Sequence, residues 1–228
     1  MSQTSPLFEQ VWFNLTGRFK IDPEDVMNQK WYRALYSIYH DENHRVAHDY
    51  GWVVDTLWRI DEYSWDSTPS ISDTEALELA VWFSHSVFNP AKDTFTNTLE
   101  SARLAGECMV GLGMGDEVFR RKVVRFITSP RSSQAEYPQE YAVYNDSLYE
   151  WYGWSDEDHA RRLHLMKQEW QDQGDHAFVD WRRETLNRFI RQGFVLMTDR
   201  AKVVNDLAME RVNLEMSIYN RVMPVITV

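Results

Sequence analysis

Apolar side chains recur at spacings of three and four residues from one end of this chain to the other, and few stretches alternate with a period of two. Nine glycines and seven prolines in 228 residues leave that pattern largely unbroken. Such a chain buries its apolar stripes by packing helix against helix, so the expected fold class is all-α. Hydrophobic residues make up 43% of the chain and include ten tryptophans, which supplies the apolar area for a large core. No shift in composition marks a boundary, and a single domain over residues 1–228 is expected, with about nine or ten helices.

Local signals place those helices. Ser5 and Pro6 open the first, as cap and first-turn proline, with Phe8, Trp12, Leu15 and Phe19 on its apolar stripe. Asp22 and Pro23 repeat the signal for a second, whose inward positions are Met27, Trp31, Leu35 and Ile38. A third, from about Asn43, carries Val46, Tyr50, Val53, Val54 and Leu57, and a loop follows at Asp61 to Ser72. Ser72 and Asp73 can cap a helix running to about Phe88. Its later part is apolar nearly all the way round, the mark of a central helix. Helices at about Thr98–Leu112 and Asp116–Thr128 precede a polar loop, Ser129 to Gln139, the expected mobile lid. The rest are expected at about Glu140–Trp151, Ser155–Gln171, His176–Gln192 and Asp199–Tyr219, the last with Val203, Leu207 and Leu214 facing inward.

Charge narrows the partners. Lys and Arg number 24 against 35 Asp and Glu, a net charge of −11, which repels a phosphate backbone over most of the surface. Nucleic acid is therefore not an expected partner, whereas a local basic pocket for a small phosphorylated ligand is compatible with the count. Cys108 is the one cysteine, so no intrachain disulfide can form and the thiol suits a reducing compartment. Residues 1–13 have no basic residue ahead of an apolar run, and no uncharged apolar stretch reaches spanning length. A cytoplasmic location without membrane contact is expected.

Three clusters could carry chemistry. His40, His44 and His48 are four apart and would line one side of a helix, where two imidazoles can share a metal. On periodicity alone they are expected to face solvent, because the apolar stripe of Val46, Val53 and Leu57 points elsewhere. Ser84-His85-Ser86 is a polar step in the apolar central helix, so these groups either bond within the core or line a pocket. Asn145-Asp146-Ser147 lies among aromatic residues. The pairs Arg161-Arg162 and Arg182-Arg183 read as solvated faces, and Arg131 in the polar loop is the better candidate for clamping an anion.

Taken in order, these clusters resemble the predicted metal-dependent HD-superfamily phosphohydrolases from about Trp31 to Tyr219, with residues 1–30 as an N-terminal helical extension. Tyr39-His40 and His44 resemble the family's early Arg-x-Tyr-His-x-x-x-His segment. Ala80-Val81-Trp82-Phe83-Ser84-His85-Ser86-Val87-Phe88-Asn89-Pro90 aligns without a gap to Ala-x-Trp-Phe-His-Asp-x-Val-Tyr-Asp-Pro. Phe189-Ile190, Thr198 and Arg211-Val212-Asn213-Leu214 echo its C-terminal patterns.

The resemblance implies an HD-type helical bundle and a site in which a His, a His-Asp dyad and a distant Asp hold one or two divalent metals that activate water. His44 corresponds to the first ligand and Asp146 to the last, while the dyad reads Ser84-His85. Asn97-Thr98 and Thr128-Ser129-Pro130-Arg131 stand where two further polar motifs are expected. One reading keeps His44, His85 and Asp146 around a single divalent metal as an altered hydrolase. The other, preferred here, is a hydrolytically silent protein that retains a pocket for a phosphorylated small molecule or nucleotide, lined by Tyr39, His40, Ser84 and Arg131. A third is a protein-interaction module without a small ligand.

Overall fold

The structure is a computed structural model that describes residues 6–41, 45–65, 73–128 and 134–222. Among the described residues all regular structure is helical, as the periodicity predicts. Contacts divide the chain into two compact units, Met1–Tyr141 and Ala142–Val228. No helix among the described residues is long and apolar enough to cross a membrane.

The first unit holds α1 (Pro6–Arg18), α2 (Val26–Tyr36), a π-helical turn (Ser37–Asp41), α3 (Tyr50–Trp65), α4 (Thr74–Ser84), α5 (Thr94–Gly111) and α6 (Glu117–Thr128). A further turn, α7, has described residues 134–136. Helix α8 (Pro138–Tyr149) spans the boundary between the units. Helix α4 packs on α3, α5 and α6 and buries every residue from Ala76 to Phe83, the central position expected of a helix that is apolar all round. Trp82 anchors α1 to it, with ring centroids 4.6 Å from Phe8 and 5.1 Å from Trp12. The Trp12 indole donates to Asn28 Oδ1 at 2.9 Å, and Asn28 donates to Thr16 Oγ1 at 3.1 Å, so the polar groups between α1 and α2 are matched inside the core.

Several helix ends differ from the sequence expectation, each for a local reason. Asp25, not Asp22, caps α2: its carboxylate accepts from the Met27 and Asn28 amides at 2.9 and 3.0 Å. The inner face of α2 is consequently Asn28, Tyr32, Leu35 and Tyr36, and Met27 is exposed. Helix α3 starts at Tyr50 rather than near Asn43, because Asp49 Oδ1 accepts from the Trp52 amide at 2.9 Å and residues 46–49 are bends. It then runs on through Asp61 to Trp65. Helix α5 starts at Thr94, four residues earlier than expected, where Asp93 accepts from the Thr96 amide at 2.8 Å.

Helix α4 stops at Ser84 rather than Phe88. Side chains of α5 take the backbone beyond it: Ser101 Oγ accepts from the Val87 amide at 3.0 Å, and Asn97 both accepts from the Asn89 amide at 3.1 Å and donates to the Asn89 carbonyl at 2.9 Å. The expected lid at Ser129–Gln139 falls partly outside the described residues, and its later part is helical, as α7 and the start of α8.

The second unit comprises the rest of α8, a 3-10 turn (Glu150–Gly153), α9 (Asp156–Glu169), α10 (Gly174–Gln192), α11 (Asp199–Lys202) and α12 (Asn205–Val222). Helix α10 packs on α12, and the 3-10 turn contacts both α9 and α12. The expected single helix from Asp199 is broken at residues 203–204. Asn205 Oδ1 accepts there from the Val195 and Leu196 amides at 2.9 and 3.0 Å, which ties the start of α12 to the segment after α10. The inner face of α12 is Ala208, Arg211, Val212 and Glu215, whereas Val203 and Leu214 are 84% and 57% exposed. The expectation of an inward Val203, Leu207 and Leu214 stripe is therefore corrected: the helix is rotated to bring Arg211 and Glu215 against buried partners.

Candidate functional site

His85 sits just past the end of α4, with a backbone φ of −121°, and its ring is half-buried. It stacks face to face on His48, ring centroids 4.1 Å apart and planes 18° from parallel. Trp52, from the first turn of α3, stands edge-on to both rings with centroids 5.1 Å away. Arg45 is buried and donates to the His85 carbonyl and, at 3.2 Å, to the Ser86 carbonyl. Its guanidinium carbon also lies 5.4 Å from the Tyr39 ring and 6.0 Å from that of Phe88. A guanidinium thus holds the carbonyls that the end of α4 leaves open.

The two spaced histidines that are described, His40 and His48, do not share a helix. His40 lies in the π-helical turn, exposed and stacked on Tyr36 with centroids 4.6 Å apart. His48 lies in the bends before α3 and is 4% exposed, so the expectation that it faces solvent is corrected. His44 and Arg131 fall outside the described residues. Tyr39 is buried and donates its hydroxyl to the Trp82 carbonyl at 2.7 Å, and the Ser84 hydroxyl donates to the Val81 carbonyl at 3.2 Å. Two of the four residues expected to line a pocket therefore direct their hydroxyl protons into the fold.

Asp146, in the second unit, is fully buried in α8. Its carboxylate accepts from the Met197 amide at 2.8 and 3.0 Å, from the Thr198 amide at 2.6 Å, and from the Asn145 side chain at 3.0 Å. Asn145 also donates to the Val195 carbonyl at 2.7 Å. The pair thus fixes the turn between α10 and α11. Burial pushes the Asp146 carboxyl above the usual carboxylate range, opposed by the donors of Thr198, Asn145 and Met197.

A second polar centre in this unit escaped the sequence reading. Arg182, expected on a solvated face, is 1% exposed and donates to Glu215 twice at 2.9 Å, from Nε and from Nη2. Tyr152 also bonds Arg182, and the Tyr219 hydroxyl donates to Glu215 Oε1 at 2.8 Å. Arg211 closes the outer side through the Tyr152 and Trp154 carbonyls, at 2.7 and 2.6 Å, and Asp156 at 2.6 Å. Burial drives the Tyr152 hydroxyl well above its ordinary range. Nothing in the sequence marks Arg182 as different from Arg183, because the pairing is 33 residues distant in the chain.

The arrangement determines what metal chemistry the described residues could support. Two stacked imidazoles direct their ring nitrogens along parallel planes rather than toward one point, and Asp146 directs its oxygens at backbone amides. Among the described residues no group of three or more His, Cys, Asp or Glu stands where it could share a cation. Of the expected ligands, His44 falls outside the described residues, while His85 belongs to the first unit and Asp146 to the second. Comparison with known protein families, with curated proteins and with solved structures finds no match for the chain.

Proposed function

We propose that this chain is a divergent, hydrolytically silent relative of the HD-superfamily phosphohydrolases that binds a phosphorylated small molecule or nucleotide without cleaving it. The supporting observation is the state of the residue in the dyad's acidic position. His85 replaces a carboxylate by an imidazole, and that imidazole is stacked on His48 with Trp52 against its edge. A hydrolytic centre requires ligands that converge and a nucleophile generated between them, and stacked rings supply neither. What the cluster does supply is half-buried aromatic surface on His85, Trp52 and Phe88, the kind of surface on which a planar base can stack.

The test combines metal analysis of the purified protein, a turnover panel of nucleotides and phosphomonoesters with Mg²⁺, Mn²⁺ or Zn²⁺ added, and calorimetric titration of the same compounds. The expected result is saturable nucleotide binding, weakened at least fivefold by Trp52→Ala, with turnover no greater than that of His85→Ala. Turnover that His85→Ala or His44→Ala abolishes would establish the single-metal hydrolase instead. Absence of any binding would leave the protein-interaction reading.

A further inference from the structure

Helix α6 presents two faces of different chemistry. Lys122, Val123, Phe126 and Ile127 point inward, and Glu117, Arg120, Arg121, Val124, Arg125 and Thr128 form a stripe at helical spacing on the other side. With Gly106 and Val110 of the adjoining α5, that stripe lines an open groove of about 570 Å³. Val110 is 67% exposed at its edge. From Glu117 to Thr128 the groove runs about three helical turns, roughly 16 Å.

Two observations indicate what it takes. The first is charge: in a chain of net charge −11, this groove brings three guanidinium groups together, with Glu117 in its lining and Glu136 beside Arg125. Arg120 donates to the Gly115 carbonyl at 2.8 Å, Arg121 stands 3.4 Å from Glu117, and Arg125 pairs with Glu136. Arg121 is thus held by an exposed carboxylate that another carboxylate can replace at little cost, since exposed pairs contribute little. The second is the floor. Gly106 lies within an 18-residue helix, where glycine costs about 0.5–1 kcal/mol relative to alanine, and a Cβ there would meet nothing within 4 Å. The fold's own packing does not need that glycine, and its absent side chain leaves the groove deeper.

We propose that the α5–α6 groove is a docking site for an acidic amphipathic helix of a partner protein, its apolar side chains at i, i+4 and i+7 on Gly106, Val110 and Val124, its Asp or Glu residues on Arg120, Arg121 and Arg125. Arginines on two successive turns of α6 beside an apolar floor match a helix that carries its carboxylates at the same spacing, and the acidic remainder of the chain disfavours approach elsewhere. This inference goes beyond the nucleotide-binding reading and does not depend on it.

The test uses the full chain and fluorescein-labelled helical peptides about three turns long: one with leucines at i, i+4 and i+7 flanked by glutamates, the same peptide with lysines for the glutamates, and the glutamate peptide with serines for the leucines. Fluorescence anisotropy should give binding of the first at least tenfold tighter than of the other two, weakening as salt is raised. Gly106→Leu fills the floor without meeting the protein's own atoms at Cβ, and should weaken binding at least tenfold while circular dichroism and the melting temperature stay at or above wild type. Arg121→Glu should weaken it independently. Equal binding of the acidic and basic peptides, binding untouched by Gly106→Leu, or no binding of the first peptide below millimolar concentration would each overturn the proposal. So would binding to phosphatidylserine vesicles in place of the peptide.

Discussion

Arg182 and Glu215 form a doubly hydrogen-bonded ion pair in the interior of the second unit, their side chains 2% and 6% exposed and both N–H···O distances 2.9 Å. Removing one partner leaves the other as an unpaired buried charge. Arg182→Met is expected to destabilise the protein by about 3–5 kcal/mol, whereas the double variant Arg182→Met with Glu215→Leu should recover much of that loss. Urea denaturation of the single and double variants measures the difference, and equal destabilisation by both would show that the ionic contact itself is not what the site requires.

Asp146 gives a second expectation. Three N–H donors converge on its carboxylate, so Asp146→Asn must turn an amide nitrogen toward at least one of them or forgo a bond. The expected cost is about 1–3 kcal/mol. Hydrogen exchange should localise the effect to the Met197 and Thr198 amides. A variant as stable as wild type, with those amides equally protected, would contradict the structural role assigned to Asp146.

Glu78 makes stability depend on pH near neutrality. It is buried on α4, bonded to Arg18 of α1, with Oε1 lacking a partner. Desolvation pushes its carboxyl up to about 7, against the opposing pull of Arg18, with Asp61 and Glu75 adding to the rise. Between the ordinary value of 4.5 and about 7 the folded protein therefore holds a proton that the unfolded chain does not. Stability must fall as pH rises through that window. Glu78→Gln should flatten this dependence and raise stability at pH 8 by roughly 1–3 kcal/mol. Equal pH slopes of wild type and variant in chemical denaturation would refute it.

His159 acts with the opposite sign. It stacks on Trp151, centroids 5.1 Å apart, and its Nε2 is buried with no partner. Desolvation first, then Arg211 and Arg182, pull its imidazole down to about 4 from the ordinary 6.5. The unfolded chain takes up the proton first on acidification, so stability is lost as pH falls from about 6.5 toward 4. His159→Phe keeps the stack and removes the titration, and should melt higher than wild type at pH 5 while differing little at pH 7.5. Tryptophan fluorescence during thermal unfolding reads the difference.

The helical class was legible in the sequence, because spacings of three and four are set by the geometry of the helix and need no partner to be read. The start of α9 at Ser155 was legible for the same reason: its side chain bonds the Asp158 amide three residues away. Helix ends and inner faces were another matter. The apolar run of α4 continues past Ser84, and the chain leaves the helix there only because Ser101 and Asn97, brought alongside by α5, take the Val87 and Asn89 amides. Apolar content also pointed to the wrong side of α12, since the buried side carries Arg211 and Glu215, whose partners Tyr152, Trp154 and Arg182 lie between 33 and 59 residues away in the chain.

The polar centres follow the same division. His40, His44 and His48 have helical spacing in the sequence, yet Asp49 starts α3 beyond them, and His48 finds His85, 37 residues on, across the tertiary structure. By itself the sequence determined that helices would be the means of burial, and it placed local starts such as that of α9 at Ser155. Which polar side chains meet, His85 with His48 and Asp146 with the Met197 and Thr198 amides, was decided by tertiary packing, because a hydrogen bond or a ring stack between distant residues exists only once the helices that carry them have packed.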